Sequence, residues 1–126
     1  MRPTRFVKPI IKVYLLPATW GEADYHRYFK ELLRAACSVN SLRVRSENDF
    51  LVLFPKDAMA YGVGTEIVIE IDVPAHFMLD VDNEDEAVSA IFKVTQDLLP
   101  DAYIQCKLYK FGVEHGYWAT GMDDEQ

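Results

Sequence analysis

FLVLFPKDAMAYGVGTEIVIEID, from Phe50 to Asp72, is the stretch that decides the fold predicted for this chain. Its first five residues, Phe50–Phe54, form a continuous apolar run, which predicts a strand covered on both faces. Pro55 ends that strand because proline has no N–H to donate to a β-ladder, and the two glycines beyond it predict a turn. Thr65–Val73 then alternates between apolar and acidic residues, which predicts a second strand.

On each side of this stretch the sequence predicts one further helix and one further strand. Along the chain, Pro9–Leu16 is the predicted first strand and Tyr103–Tyr109 the predicted last one. A stripe of apolar residues three and four apart predicts each helix. Thr19 with Glu22 and Asn83 with Glu86 predict where the helices begin. The first stripe is Tyr25, Tyr28, Phe29, Leu32, Leu33 and Ala36; the second is Ala87, Ile91, Val94 and Leu98, widened by Val88, Phe92 and Leu99.

This order predicts an α+β fold in which two β-α-β units form a four-stranded mixed sheet with two helices on one face. The domain is expected at 9–121, after an N-terminal extension 1–8 and before an acidic tail 122–126. Leu42–Asp49 is either an early start of the second strand or a loop. Because two helices cover one face of such a sheet, the other face should be polar and open. Its predicted residues are Lys12, Tyr14, Glu70, Asp72, Tyr103, Gln105 and Lys107.

The bulk composition restricts the class of protein. With 126 residues, 50% of them hydrophobic, the chain suits one domain with its own core. A net charge of −7 argues against a nucleic-acid partner, which needs a basic face. No apolar run approaches the ~20 residues of a membrane span, so no membrane partner is expected.

Location and cofactors are predicted from the N-terminus and from the cysteines and histidines. The basic, then apolar N-terminus is similar to a short signal peptide, but Lys12 and Tyr14 interrupt it and favour a strand. A cytoplasmic protein is therefore expected, with leaderless secretion left open. Cys37 and Cys106 form no C-x-x-C motif and are expected to be buried thiols. Neither they nor the three histidines have metal-ligand spacing, so no metal or cofactor is expected.

Three stretches resemble the macrophage migration inhibitory factor branch of the tautomerase superfamily. PIIKVYLLP, from Pro9 to Pro17, is similar to the start of that family, where a proline opens the first strand. LVLFPKDAMAYGVGTE, ending at Glu66, is similar to its second strand and the Met-Ala-aromatic-Gly loop that follows. PDAYIQCKLYKFGVEHGYW, from Pro100 to Trp118, is similar to its last long strand and a loop ending in Gly-Trp.

The resemblance implies a homotrimer in which three sheets form a barrel, and a keto–enol tautomerase (isomerase) of small 2-oxo acids. It implies that Pro9 is the catalytic base, but only if Pro9 is N-terminal, because a residue in front of it makes its nitrogen an amide. Tyr103 and Gln105 match family residues that contact substrate, the tyrosine across a subunit boundary. A family lysine near the end of the first helix, which helps bind a substrate carboxylate, has no counterpart here, and Lys12 is its proposed substitute in substrate binding.

Three hypotheses stay open on the sequence. The first is a divergent, trimeric tautomerase that is weakly active or active after processing frees Pro9. The second is an inactive relative that binds a small molecule or a protein. The third is a ferredoxin-like β-α-β-β-α-β domain, which has the same element order but an antiparallel sheet and is expected to be a dimer.

Overall fold

The helices and strands follow the order that the sequence predicts. A computed structural model of the chain describes residues 7–55 and 65–112. The elements in this part of the chain are β1 (Ile10–Tyr14), α1 (Glu22–Cys37), β2 (Leu51–Leu53), β3 (Glu66–Pro74), α2 (Val81–Leu98) and β4 (Tyr103–Phe111). The predicted glycine turn after Pro55, the Gly-Trp loop ending at Trp118, and the acidic tail lie outside the described residues.

The four strands form one mixed sheet in the order β2-β1-β3-β4. β1 pairs with β2 in parallel, β3 pairs with β4 in parallel, and β1 pairs with β3 antiparallel. Each β-α-β unit therefore places its two strands side by side, with the helix as the crossover. This confirms the predicted fold class. The ferredoxin-like alternative is wrong, because that fold requires an antiparallel sheet.

One face of the sheet carries both helices and the other is open. Ile67, Ile69, Ile71 and Val73 of β3 point into the core and are at most 1% exposed. Between them, the polar residues of β3 point to the open face, as the period of two requires. The strand register confirms the predicted open face: Lys12 lies opposite Glu70, and Glu70 lies beside Lys107 on β4.

The second strand differs from its prediction. β2 is three residues long and lies at the edge of the sheet, and Leu51 and Leu53 are 47% and 45% exposed. These leucines pair with Ile10 and Lys12 and therefore share the open face. The expectation that this strand is covered on both faces is wrong for the single chain, because only the face of Val52 packs against the core.

The two helices are joined across the core by a buried hydrogen bond. The hydroxyl oxygens of Tyr28 on α1 and Thr95 on α2 are 2.6 Å apart, and both residues are 0% exposed. Thr95 donates its own proton to the carbonyl oxygen of Ile91, so Tyr28 donates to Thr95. Burial raises the pKa of Tyr28, which keeps the phenol neutral. The prediction for α2 missed Thr95, since it placed only apolar residues on the buried stripe.

Both helices begin at positions other than those predicted. The N-cap of α1 is Gly21, whose N–H donates to the carboxylate of Asp24 at 2.9 Å. The N-cap of α2 is Asp80, whose carboxylate accepts from the backbone N–H of Asn83 at 2.8 Å. The predicted caps Thr19 and Asn83 are therefore wrong. The helix α1 begins after Gly21, and Asp80 caps α2, which places Asn83 inside the first turn of that helix.

Replacing Met78 by glycine is expected to stabilise the protein by up to about 1 kcal/mol. Met78 has a φ of 56°, a left-handed conformation that a side chain disfavours, and it is 83% exposed, so its side chain contributes little packing. The midpoint of urea unfolding measures the change. As a control, Ser89→Gly on the exposed side of α2 should destabilise by about 0.5 kcal/mol. A lower midpoint for both variants would contradict the strain argument.

Candidate functional site

Pro9 lies buried immediately before β1, where its backbone joins the sheet. The N–H of Leu51 donates to the carbonyl oxygen of Pro9 at 3.0 Å. Val7, in front of it, is 5% exposed and therefore packs against the body of the protein. With Lys8 attached, the ring nitrogen of Pro9 is an amide and cannot accept a proton. Pro9 is therefore buried, and burial would lower the pKa of an amine at this position, but its nitrogen is not an amine.

Lys12 lies on the open face in an ion pair. Its Nζ is 3.1 Å from Oδ2 of Asp72, and the two side chains are 30% and 17% exposed. The hydrogen bond from Lys12 to Asp72, with the charge of that carboxylate, raises the pKa of Lys12 above 10.5. Lys12 is therefore a cation at neutral pH and, in the single chain, already has an anionic partner.

Tyr103 and Gln105 share the open face of β4. Tyr103 is 64% exposed, and Gln105 is exposed beside it. Tyr103 pairs with Glu66 at the start of β3, and Gln105 pairs with Val68. Both side chains are therefore accessible, and in one chain they belong to the end of the sheet where β3 begins.

Within a single chain, Pro9 is far from Tyr103. Ile10, next to Pro9, pairs with Asp72, whereas Tyr103 pairs with Glu66. The part of β3 between these two rows, from Glu66 to Asp72, spans roughly 20 Å at ~3.3 Å per residue. The structure therefore brings Lys12 and Asp72 together but does not bring Pro9 to Tyr103 or Gln105. A site that used all four residues would need side chains from a second copy.

A cavity of about 740 Å³ lies between the C-terminal end of α1 and the loop before β2. Its walls are Cys37, Asn40, Arg43, Val44, Arg45 and Asp49. The loop is the correct alternative for 42–49, and it contains two short 3₁₀ turns. The sequence analysis did not single out the two arginines that line this cavity. Their alternation with Leu42 and Val44 was the available signal, because those two apolar residues are buried and leave the arginines outside.

The two cysteines differ in their surroundings. Cys106 lies on the face of the sheet that the helices cover. Burial there raises the pKa of its thiol to about 12, so the thiol is protonated and unreactive at neutral pH. Cys37 is exposed on the wall of the cavity, which corrects the expectation that both thiols are buried.

Metal sites and membrane-spanning helices were also searched for in the described part of the chain. Over 7–55 and 65–112, no three histidine, cysteine or acidic side chains come together in a way that could hold a metal ion. Neither α1 nor α2 has the length and the apolar composition that crossing a membrane requires.

The similarity of this chain to known proteins lies in its structure. No protein-family model and no curated protein matches the sequence. A fused 4-OT wild-type symmetric trimer is similar over 89% of this chain and 94% of its own, with a TM-score of 0.62 and 14% identity. N1, a member of the cis-3-chloroacrylic acid dehalogenase family, is similar over 86% of this chain and 79% of its own, with a TM-score of 0.64 and 14% identity.

A third neighbour is a 5-carboxymethyl-2-hydroxymuconate isomerase from Deinococcus radiodurans R1. It is similar over 94% of this chain and 93% of its own, with a TM-score of 0.62 and 12% identity. All three neighbours are members of the tautomerase superfamily. Together with the mixed sheet and its two crossover helices, these similarities show that the chain has the tautomerase-superfamily fold.

Proposed function

We propose that this chain works as a homotrimer whose sites form between copies. The open face supports assembly, because it carries large side chains that would be exposed to water in a monomer. Tyr103, Tyr109, Leu51 and Leu53 are 64%, 48%, 47% and 45% exposed. Tyrosine is enriched at protein interfaces, where it combines apolar area with a polar group. The fused 4-OT neighbour is itself a symmetric trimer.

The charges on the open face fit burial between copies. Burying a lone charge is costly, but a paired and hydrogen-bonded charge costs much less. Lys12 already pairs with Asp72 at 3.1 Å, and Glu70 lies beside Lys107 in the strand register. A second copy could therefore cover this face without leaving either lysine far from a carboxylate.

The proposed activity is the keto–enol tautomerisation of small 2-oxo acids, in a form of the chain in which Pro9 is the first residue. The single observation that carries this proposal is the position of Pro9: in a tautomerase-superfamily fold, it is buried at the start of β1. As a free amine it would take a proton from carbon and return it to oxygen. Tyr103 and Gln105 of another copy would donate hydrogen bonds to the substrate, and Lys12 would add positive charge.

The second candidate function is a binding module with no chemistry of its own. The observation that favours it is the amide nitrogen of Pro9, which follows Val7 and Lys8 in the full chain. Shape and hydrogen bonds are enough for binding, and Tyr103 and Gln105 can supply both without a titrating amine. Under this hypothesis the protein binds the 2-oxo acid but does not tautomerise it.

One enolisation assay on two forms of the protein separates the two functions. The substrate is an aryl pyruvate, and the forms are the full chain and a shortened chain that begins at Pro9. Activity that arises only in the shortened chain supports a tautomerase controlled by processing. If both forms are inactive but both bind the substrate, the binding module is correct and the tautomerase proposal fails.

A further inference from the structure

The N-terminal segment 1–6 is attached to the protein beside the start of α2. Val7, the first residue that the structure describes, is 5% exposed and therefore held against the body of the protein. Ile10 pairs with Asp72 in the antiparallel ladder, and continuing this register by three residues places Val7 level with Ala75. Ala75 begins the short turn that joins β3 to α2. The segment is therefore attached where the chain leaves the sheet for this helix.

The first two turns of α2 present one apolar and three acidic side chains to solvent. Val81, at the first position of the helix, is 70% exposed. Asp82, Asp85 and Glu86 are exposed beside it. In the described part of the chain, no ion pair involves any of these three carboxylates. We call these four residues the acidic surface of α2.

The carboxylates of the acidic surface repel one another. Asp85 follows Asp82 by three residues and Glu86 follows it by four, and like charges at these spacings destabilise a helix. The positive end of the helix dipole favours acidic side chains only within the first turn, and Asp85 and Glu86 lie beyond it. A cationic partner on this surface would therefore relieve a repulsion that the helix itself does not.

The segment 1–6 has the composition that matches this surface. It reads MRPTRF and contains two arginines and no acidic residue, in a chain whose net charge is −7. A guanidinium presents parallel N–H donors that fit the two oxygens of a carboxylate, so Arg2 and Arg5 suit neighbouring aspartates. The ring of Phe6 can cover the exposed side chain of Val81, which removes apolar area from water.

We propose that the segment 1–6 binds the acidic surface of α2 in its own chain. Six extended residues span up to ~20 Å. Val81 follows Ala75 by the same number of residues, in a stretch that a 3₁₀ turn shortens, so the segment is long enough to reach it. The surface belongs to a helix and lies apart from the open face of the sheet. The proposal therefore does not depend on the trimer or on tautomerase activity.

The rate at which trypsin cleaves the full chain after Arg5 tests this contact. Trypsin must take the arginine side chain into its own pocket, so it cleaves only the fraction of molecules in which Arg5 is free. The bonds after Arg2 and Lys8 precede proline and resist trypsin, and mass spectrometry at early times measures the loss of 1–5. The double variant Asp82→Asn/Asp85→Asn should be cleaved about threefold to tenfold faster, the effect of losing two exposed ion pairs.

The matched control is Asp97→Asn/Asp101→Asn. It makes the same change of charge at exposed positions around the other end of α2, and its cleavage rate should equal that of the full chain. Circular dichroism and the midpoint of urea unfolding check that both double variants keep the fold. Equal cleavage rates for the full chain and Asp82→Asn/Asp85→Asn, or an equal acceleration in the control, would overturn the proposal.

A mixture of two variants shows whether the segment binds its own chain or another copy. Asp82→Asn/Asp85→Asn is refolded with an excess of Arg2→Gln/Arg5→Gln, which keeps the acidic surface but has no cleavage site after position 5. Cleavage of the first variant should stay fast, because its own surface lacks the carboxylates. A return to the slow rate of the full chain would show that the segment binds the surface of another copy, and would overturn the proposal.

Discussion

A shortened chain that begins at Pro9 is expected to enolise an aryl pyruvate about 10²- to 10⁴-fold faster than the full chain, which is the usual effect of a positioned general base. In the full chain, the nitrogen of Pro9 is an amide, and its lone pair is not available to a proton. Removing 1–8 converts this amide into a secondary amine at a buried position. Initial rates with the same substrate and the same protein concentration measure the difference.

The pH dependence of the shortened chain identifies the base. Burial disfavours the charged form of an amine, so the pKa of a free Pro9 nitrogen should fall toward neutrality. The amine must be unprotonated to accept a proton, so kcat/KM should rise with pH through this pKa and then level off. A rate that depended on neutral Lys12 instead would not level off near neutrality and would keep rising into alkaline pH, since Asp72 raises the pKa of Lys12.

A chain that begins at Lys8 is the matched control. It differs from the shortened chain by one residue and lacks Val7 as well, so any loss of stability from removing this buried valine is common to both. Its Pro9 nitrogen is an amide again, and its activity should return to that of the full chain. A full chain that is as active as the shortened one, and stays active after Pro9→Ala, would show that Pro9 is not the base.

Leu32→Ala is expected to lower the free energy of unfolding by roughly 2–5 kcal/mol, the range for truncating a buried leucine. Leu32 is 0% exposed at the centre of the apolar stripe of α1, and it lies in the main core cluster. Urea unfolding at one fixed protein concentration measures the loss, because the stability of an oligomer depends on concentration.

Arg34→Ala on the same helix is the control for Leu32→Ala. Arg34 is exposed, and its contact with Glu31 at 2.9 Å is a surface ion pair. Such pairs contribute little, so the change should stay within about 0.5 kcal/mol. Equal unfolding midpoints for Leu32→Ala and Arg34→Ala would contradict the assignment of the buried face of α1.

Strand faces and helix stripes were predictable because they depend on local periodicity. The alternation in β3 has only two possible faces, and the isoleucines decide which one is buried. The apolar run of β2 was harder to interpret, because it has the same sequence whether its own chain or another copy covers the second face. The exposure of Leu51 and Leu53 depends on the sheet order, which places β2 at an edge, and the sequence of β2 alone does not determine that order.

Details that depend on long-range contacts were missed. Thr95 is polar, and its place in the core follows from a partner on the other helix, Tyr28. The position of the Arg43 guanidinium depends on the ring of Phe77, which lies in the turn after β3. The roles of Tyr103 and Gln105 rest on the family resemblance, and no periodicity in one chain states which residues a second copy supplies.

Light scattering of the full chain in solution tests the central claim, that the open face of the sheet is covered by other copies. We expect a particle of three times the 14.5 kDa mass of the chain, stable on dilution to micromolar concentration. Such a trimer would cover the exposed tyrosines and leucines and could bring Tyr103 of one copy to Pro9 of another. A stable monomer or dimer would contradict the trimer, and a monomer would leave Pro9 and Tyr103 on separate ends of one sheet.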